Sequence, residues 1–213
     1  MISGTTNWSS DSPFKTGQAF DMSETTQTDY VDITNIPVNT AAGAKTTVMF
    51  WMKWISHGNG MPFAFYPGPA YGNGWWYGIS LTCSSIGFNT GGGSWVAGVP
   101  FPYLSSSTMN KWHHIAAVFY NGDIDATNNV LYIDGAKQTI SACPNPSCCG
   151  TFPLTGTYRG INKNAVIGAS PWDFWNPFYG LVDDLRIYNS DPGISEVQKV
   201  YAEGLPKHLL TEK

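Results

Sequence analysis

The run "TTVMFWMKWI" (46–55) constrains this chain more than any other segment. It is dense in aromatic and β-branched residues, too short to span a bilayer, and bounded by "AAGAK" and "SHGNG", which read as turns. Such a run reads as a half-buried strand. Similar segments follow at short intervals: "QAFDM", "DYVDI", "WWYGISLTC", "SIGFNT", "KWHHIAAVFY", "NVLYIDGAKQTI", "NAVIGAS" and "FYGLVDDLRIY". Their period-two apolar pattern between Gly, Pro and Asn clusters is what half-buried strands require. The turn "NGDIDATNN" predicts a hairpin between "VFY" and "VLYIDG", and Asp134-Gly135 reverses the chain again. One helix is expected, in "ISEVQKVYAEG", with Ile194, Val197, Val200 and Tyr201 on one face and Gly204 as its stop.

These elements predict a single all-β domain over 17–204, with a lead-in at 1–16 and an exposed tail at 205–213. A length of 213 residues suits one large sandwich better than two small domains. Charged residues are only 12% of the chain, about half the usual share, while 23 Gly and 14 Pro fit many short strands joined by turns. A net charge of −4 gives no basic footprint, which argues against nucleic acid as a partner. No apolar run suggests membrane insertion. The start "MISGTTNWSSDSPFKTG" has neither the charged nor the apolar region of a signal peptide, so Met1 is expected to begin a domain cut from a longer precursor.

The four cysteines, Cys83, Cys143, Cys148 and Cys149, are an even set that fits two disulfides in an exported protein. Cys143–Cys148 with Cys83–Cys149 is one of three connectivities. Free thiols are the second reading, and zinc at "CPNPSCCG" comes after both, because His57, His113, His114 and His208 all lie far away in sequence.

Three ordered pieces carry a family resemblance. "GQAFDMSETTQTDYVDI", then "TTVMFWMKW" with "KWHHIAAVFY...NNVLYIDGAKQ", then "FYGLVDDLRIYNSDPGISEVQKVY" together resemble the laminin-G-like domain of the concanavalin A-like lectin/glucanase superfamily. The resemblance implies an antiparallel two-sheet β-sandwich, a jelly roll, with one short C-terminal helix. It implies that Trp51, Trp112, Phe119, Tyr132, Ile133, Phe178, Val182 and Ile187 pack between the sheets. It also implies a structural calcium ion at Asp21 and Asp183, with Asp184 either a further ligand or bonded to a neighbouring loop; Met22 stands where the family commonly has Gly, and the alternative is that Asp183 pairs with Arg186 or a backbone amide.

Catalysis has little support in the sequence. Glycosidases of this fold use paired carboxylates in one cleft. The four Glu, at 24, 196, 203 and 212, lie in a turn, the helix and the tail. On a regular strand Asp183 and Asp184 face opposite ways, as do His113 and His114. Aromatic residues are the surplus. Trp172, Asp173, Trp175 and Asn176 sit in "SPWDFWNP", while Trp75, Trp76, Tyr77 and Trp95 follow Gly-rich stretches. Indoles beside Asp and Asn suit a sugar, whose C–H face stacks while its hydroxyls hydrogen-bond. After that reading come a minicore folded over the end of the sandwich and then contact with a partner domain. The expectation is a non-catalytic, glycan-binding module of an extracellular or cell-surface protein, accompanied by other domains. An adhesion domain recognising a protein is the alternative, and a glycan-active hydrolase or lyase comes third.

Overall fold

In the computed structural model, "TTVMFWMKWI" forms a central strand buried on both faces. The structure describes residues 2–3, 7–14, 17–23, 29–56, 60–67, 77–82, 84–89, 96–102, 105, 107–123, 125–141, 158–171 and 176–211. The first strands are β1 (Ile2–Ser3), β2 (Asn7–Ser9), β3 (Ala19–Asp21), β4 (Tyr30–Ile33), β5 (Lys45–Trp54), β6 (Gly60–Pro67), β7 (Tyr77–Thr82) and β8 (Ser85–Asn89). They are followed by β9 (Val96–Pro100), β10 (Trp112–Tyr120), β11 (Gly122–Asp123), β12 (Val130–Ile133), β13 (Ala136–Lys137), β14 (Tyr158–Arg159), β15 (Ile161–Ile167) and β16 (Gly180–Tyr188). A single described helix, α1, runs Gly193–Thr211.

Two seven-stranded antiparallel sheets form the sandwich of a jelly roll. Their orders are β1-β4-β15-β6-β7-β8-β9 and β13-β12-β10-β5-β16-β3-β2, and β11 pairs with β14 apart from both. Alternation along the strands sets the core. Val48, Phe50, Met52 and Trp54 of β5, with Ile115, Ala117 and Phe119 of β10, meet Phe63, Phe65, Tyr77, Ile79 and Phe88 of the first sheet. Phe178 and Val182 are in this core as expected, and Ile133 and Ile187 pack partly buried against it.

The outer face of the second sheet is apolar as well. Met49, Ala116, Val118, Val130 and Tyr132 pack beneath Val197 and Val200 of α1. This corrects the expected places of three residues. Tyr132 lies under the helix, Trp51 stacks on Tyr201 of α1 with centroids 5.7 Å apart, and Trp112 is half-buried on the same outer side. Ile194, expected on the buried face of α1, is 44% exposed.

Gly204 does not stop α1. The helix continues to Thr211, so the tail expected from residue 205 is helical in its first part. A Cβ on Gly204 would lie 2.3 Å from Trp51 Cζ2, so the missing side chain lets the helix backbone settle onto the indole. Trp51 is 1% exposed and packs against the rings of His114 and Tyr201. Gly204→Val should therefore lower stability by about 1–3 kcal/mol, read as the urea unfolding midpoint at unchanged slope. An unchanged midpoint would contradict this packing.

β6 lies in mid-sheet although it carries Pro62, which lacks a donor for a ladder. The register with β7 shifts between Gly60 and Phe63, so the proline falls at a bulge, and its carbonyl accepts the Gly168 N–H at 3.1 Å. The predicted "NGDIDATNN" hairpin forms, with β10 pairing β12. Asp125 Oδ1 accepts the backbone N–H groups of Thr127 and Asn128, which holds the carboxyl below its usual range despite partial burial.

Candidate functional site

A pocket of about 500 Å³ opens on the outer face of the second sheet, beyond the part covered by Val197 and Val200. Trp51, Trp112 and Tyr201 are its aromatic walls. Parity explains their placement. Because Phe50, Met52 and Trp54 face the core, Trp51 and Lys53 face outward. Because Ile115 and Phe119 face the core on β10, Trp112 and His114 face outward beside them. The i, i+3, i+4 spacing of Val197, Val200 and Tyr201 brings the tyrosine over Trp51. Arg186 holds α1 in register by pairing with Glu203 at 2.8 Å and with Asp184 at 2.8 Å.

Polar groups are fixed at the mouth. Lys53 and Trp112 are direct cross-strand partners on β5 and β10, and both grip Asp11. The Trp112 indole N–H donates to Asp11 Oδ1 at 3.0 Å, and Lys53 Nζ lies 2.6 Å from Oδ2. Asn110 and Lys111 complete the rim at the start of β10, where Asn110 takes a left-handed φ of 60° and donates its N–H to the Trp54 carbonyl at 2.7 Å. On the far wall, Asp134 begins the tight turn between β12 and β13, with φ of 51° followed by 75° at Gly135. Its Oδ1 accepts the backbone N–H of His114 at 2.9 Å, and its Oδ2 lies 2.8 Å from His113 Nδ1, a geometry that suits an Nδ1–H donor.

Behind the walls sits His114, completely buried, 5.4 Å from the Trp51 ring and 6.0 Å from that of Tyr201. Neither ring nitrogen has a hydrogen-bond partner. Burial pushes its pKa down to about 4. Asp134 opposes that shift and Arg186 reinforces it.

The residues singled out in the sequence divide differently. Trp75, Trp76, Trp95, Trp172, Asp173 and Trp175 lie outside the described residues, as do Cys83, Cys143, Cys148 and Cys149. Tyr77 is in the core rather than at a ligand surface. It is fully buried, 4.8 Å from the Phe119 ring, and its hydroxyl is bonded by the Asn129 side chain. Asn176 is half-buried with φ of 55°, and its carbonyl accepts the Met61 N–H at 3.0 Å.

The carboxylates expected at a calcium ion serve protein groups. Asp21 Oδ1 accepts the Ser23 N–H at 3.0 Å, Asp183 Oδ2 accepts the Ser12 hydroxyl at 2.6 Å, and Asp184 pairs with Arg186. A bulge lies between Asp183 and Arg186, with Asp184 at φ of 46°, and the adjacent carboxylates have separate partners, Ser12 and Arg186. Among the described residues no three His, Cys, Asp or Glu side chains gather as a metal site. The guanidinium beside Asp184 also disfavours a cation, so these three residues do not fit calcium as one donor set.

Sequence reasoning missed the pocket because its residues come from five distant stretches. The available signal was parity: a strand that sends Phe50 and Met52 inward must send Trp51 outward.

The fold is shared with solved binding domains. The botulinum neurotoxin serotype D ligand-binding domain in complex with N-acetylneuraminic acid superposes with a TM-score of 0.57 at 15% identity, covering 95% of this chain and 45% of that one. The botulinum neurotoxin DC binding domain in complex with rat synaptotagmin II gives 0.60 at 13% identity, covering 96% and 46%. The heptameric SAP-like pentraxin of Limulus polyphemus gives 0.50 at 16% identity, covering 81% and 75%. The chain thus spans about half the length of the neurotoxin domains it matches. No curated protein sequence matches it. The profile of the laminin-G family in the concanavalin A-like lectin/glucanases superfamily matches residues 25–198, most of the chain, and the chain belongs to that family.

Proposed function

We propose that this domain is a non-catalytic, glycan-binding module of an extracellular or cell-surface protein, and that the outer-face pocket holds the sugar. One observation carries the reading: exposed faces of Trp112 and Tyr201 stand beside polar groups at Asp11, Lys53, Asn110 and Asp134 in one concavity. Apolar ring surface with a few directed hydrogen-bonding groups is the chemistry that orients a saccharide. Both pocket carboxylates are already engaged, Asp11 by Lys53 and Trp112, Asp134 by the two histidines. That arrangement suits holding a ligand rather than passing protons to it. Neurotoxin domains of the same fold have been solved with a sugar and with a protein, which supports binding as the role. A protein-recognising adhesion domain is favoured by one feature, Trp8, which is 52% exposed on the edge strand β2.

Titration against a panel of soluble and insoluble glycans tests the reading. Trp112→Ala should weaken binding about tenfold or more, the effect of losing a buried anchor at a hot spot. Trp172→Ala and Trp175→Ala serve as the comparison. Loss of binding in those variants alone would move the site to the 172–175 connection. Release of reducing sugar would overturn the non-catalytic assignment.

A further inference from the structure

We propose that the pocket is a receptor for the carboxylate of an acidic saccharide, such as a uronic acid, and that Asp11 occupies it in cis as a stand-in for that group. The inference rests on the glycan reading above and names its ligand class. The two donors are built into the most constrained part of the molecule. Lys53 and Trp112 face each other on β5 and β10, and each of these strands is hydrogen-bonded on both sides. They divide one carboxylate between them, the indole N–H on Oδ1 and the ammonium on Oδ2. Charge-assisted bonds to the two oxygens of one group specify a carboxylate by shape as well as charge.

The carboxylate itself is less firmly placed. Asp11 belongs to the stretch between β2 and β3, which joins neither sheet, and its side chain is 47% exposed. Lys53 is only 19% exposed, so the donors stay in place, while the Asp11 end of the pair is open to solvent, where a ligand carboxylate can compete for the same two donors. With Asp11 displaced, the mouth presents Lys53 and Lys111, while Asp134 stays bound to His113 and the His114 backbone. A sugar ring carrying that carboxylate would then lie against the faces of Trp112 and Tyr201.

Calorimetric titration with an oligogalacturonate and its neutral oligogalactose counterpart tests this on the wild type, Asp11→Ala, Asp11→Asn and Lys53→Met. The wild type should prefer the acidic chain. Both Asp11 variants should bind it about two- to fivefold more tightly, the range expected for removing an exposed competing pair. They should gain nothing toward the neutral chain. Lys53→Met should abolish the preference. Equal binding of both oligosaccharides by the wild type and the Asp11 variants would overturn the carboxylate inference and leave glycan binding standing. Binding of neither by any of the proteins would overturn both.

Discussion

Phe119→Ala should lower the stability of the domain by about 3–5 kcal/mol, a large part of the total for a protein of this size. The ring is completely buried in the core between the two sheets. It meets Phe65 at 5.2 Å, Tyr77 at 4.8 Å and Phe88 at 5.4 Å between centroids, each edge-to-face. Such pairs add about 0.5–1.5 kcal/mol apiece beyond area burial, and a cavity among three rigid rings collapses poorly. Urea denaturation checks the value. Trp8→Ala, made at an exposed ring, should move the midpoint by less than about 1 kcal/mol in the same experiment. A loss at Phe119 no larger than that at Trp8 would show that the two sheets do not meet through this cluster.

Acid should destabilise the protein through His114. Its folded pKa, about 4, lies below its ordinary value of 6.5, so the folded state binds fewer protons than the unfolded state between these limits. The neutral imidazole therefore costs nothing extra above pH 6.5. Stability is lost as the pH falls from there toward 4, by roughly 3 kcal/mol in all. Burial is the main cause, Arg186 adds to it, and Asp134 offsets part of it. The same ring supports Trp51 and Tyr201, so the pocket wall should loosen with α1. Thermal melts of wild type and His114→Leu across pH 4–7 separate this residue from the other histidines. The variant should be at least as stable at neutral pH, because two unpartnered ring nitrogens leave the core, and it should lose much less on acidification. Parallel acid profiles for the two proteins would refute the assignment.

Much of the strand architecture could be read from the residues because short apolar runs between Gly, Pro and Asn clusters mark strands. "DYVDI", "SIGFNT" and "KWHHIAAVFY" are strands as expected, although the last two are buried on both faces along most of their length. β5 was identified as a strand, but its inward face could not be chosen. α1 covers the outer side, so both faces are apolar, and Trp51 and Trp112 were expected between the sheets. β6 escaped notice because Pro62 and Pro67 argue against a strand, and the bulge that accommodates the first is a tertiary event. Gly204 looked like a helix stop because glycine commonly ends helices. Here it serves close contact with an indole 153 positions earlier, which no local pattern records. The site was the least legible part. Asp11, Trp51, Asn110, Asp134 and Tyr201 share no motif, and only the sandwich brings them together.

The central claim is that ligand enters the outer-face pocket against Trp112. The indole N–H region of a ¹⁵N correlation spectrum, recorded during titration with a glycan that binds, reads this directly. Trp112→Phe assigns the relevant peak among the nine tryptophans. The Trp112 resonance, now bonded to Asp11, should shift progressively and saturate with the binding isotherm. A saturating titration that leaves it unmoved while other indoles shift would place the ligand elsewhere and contradict the account.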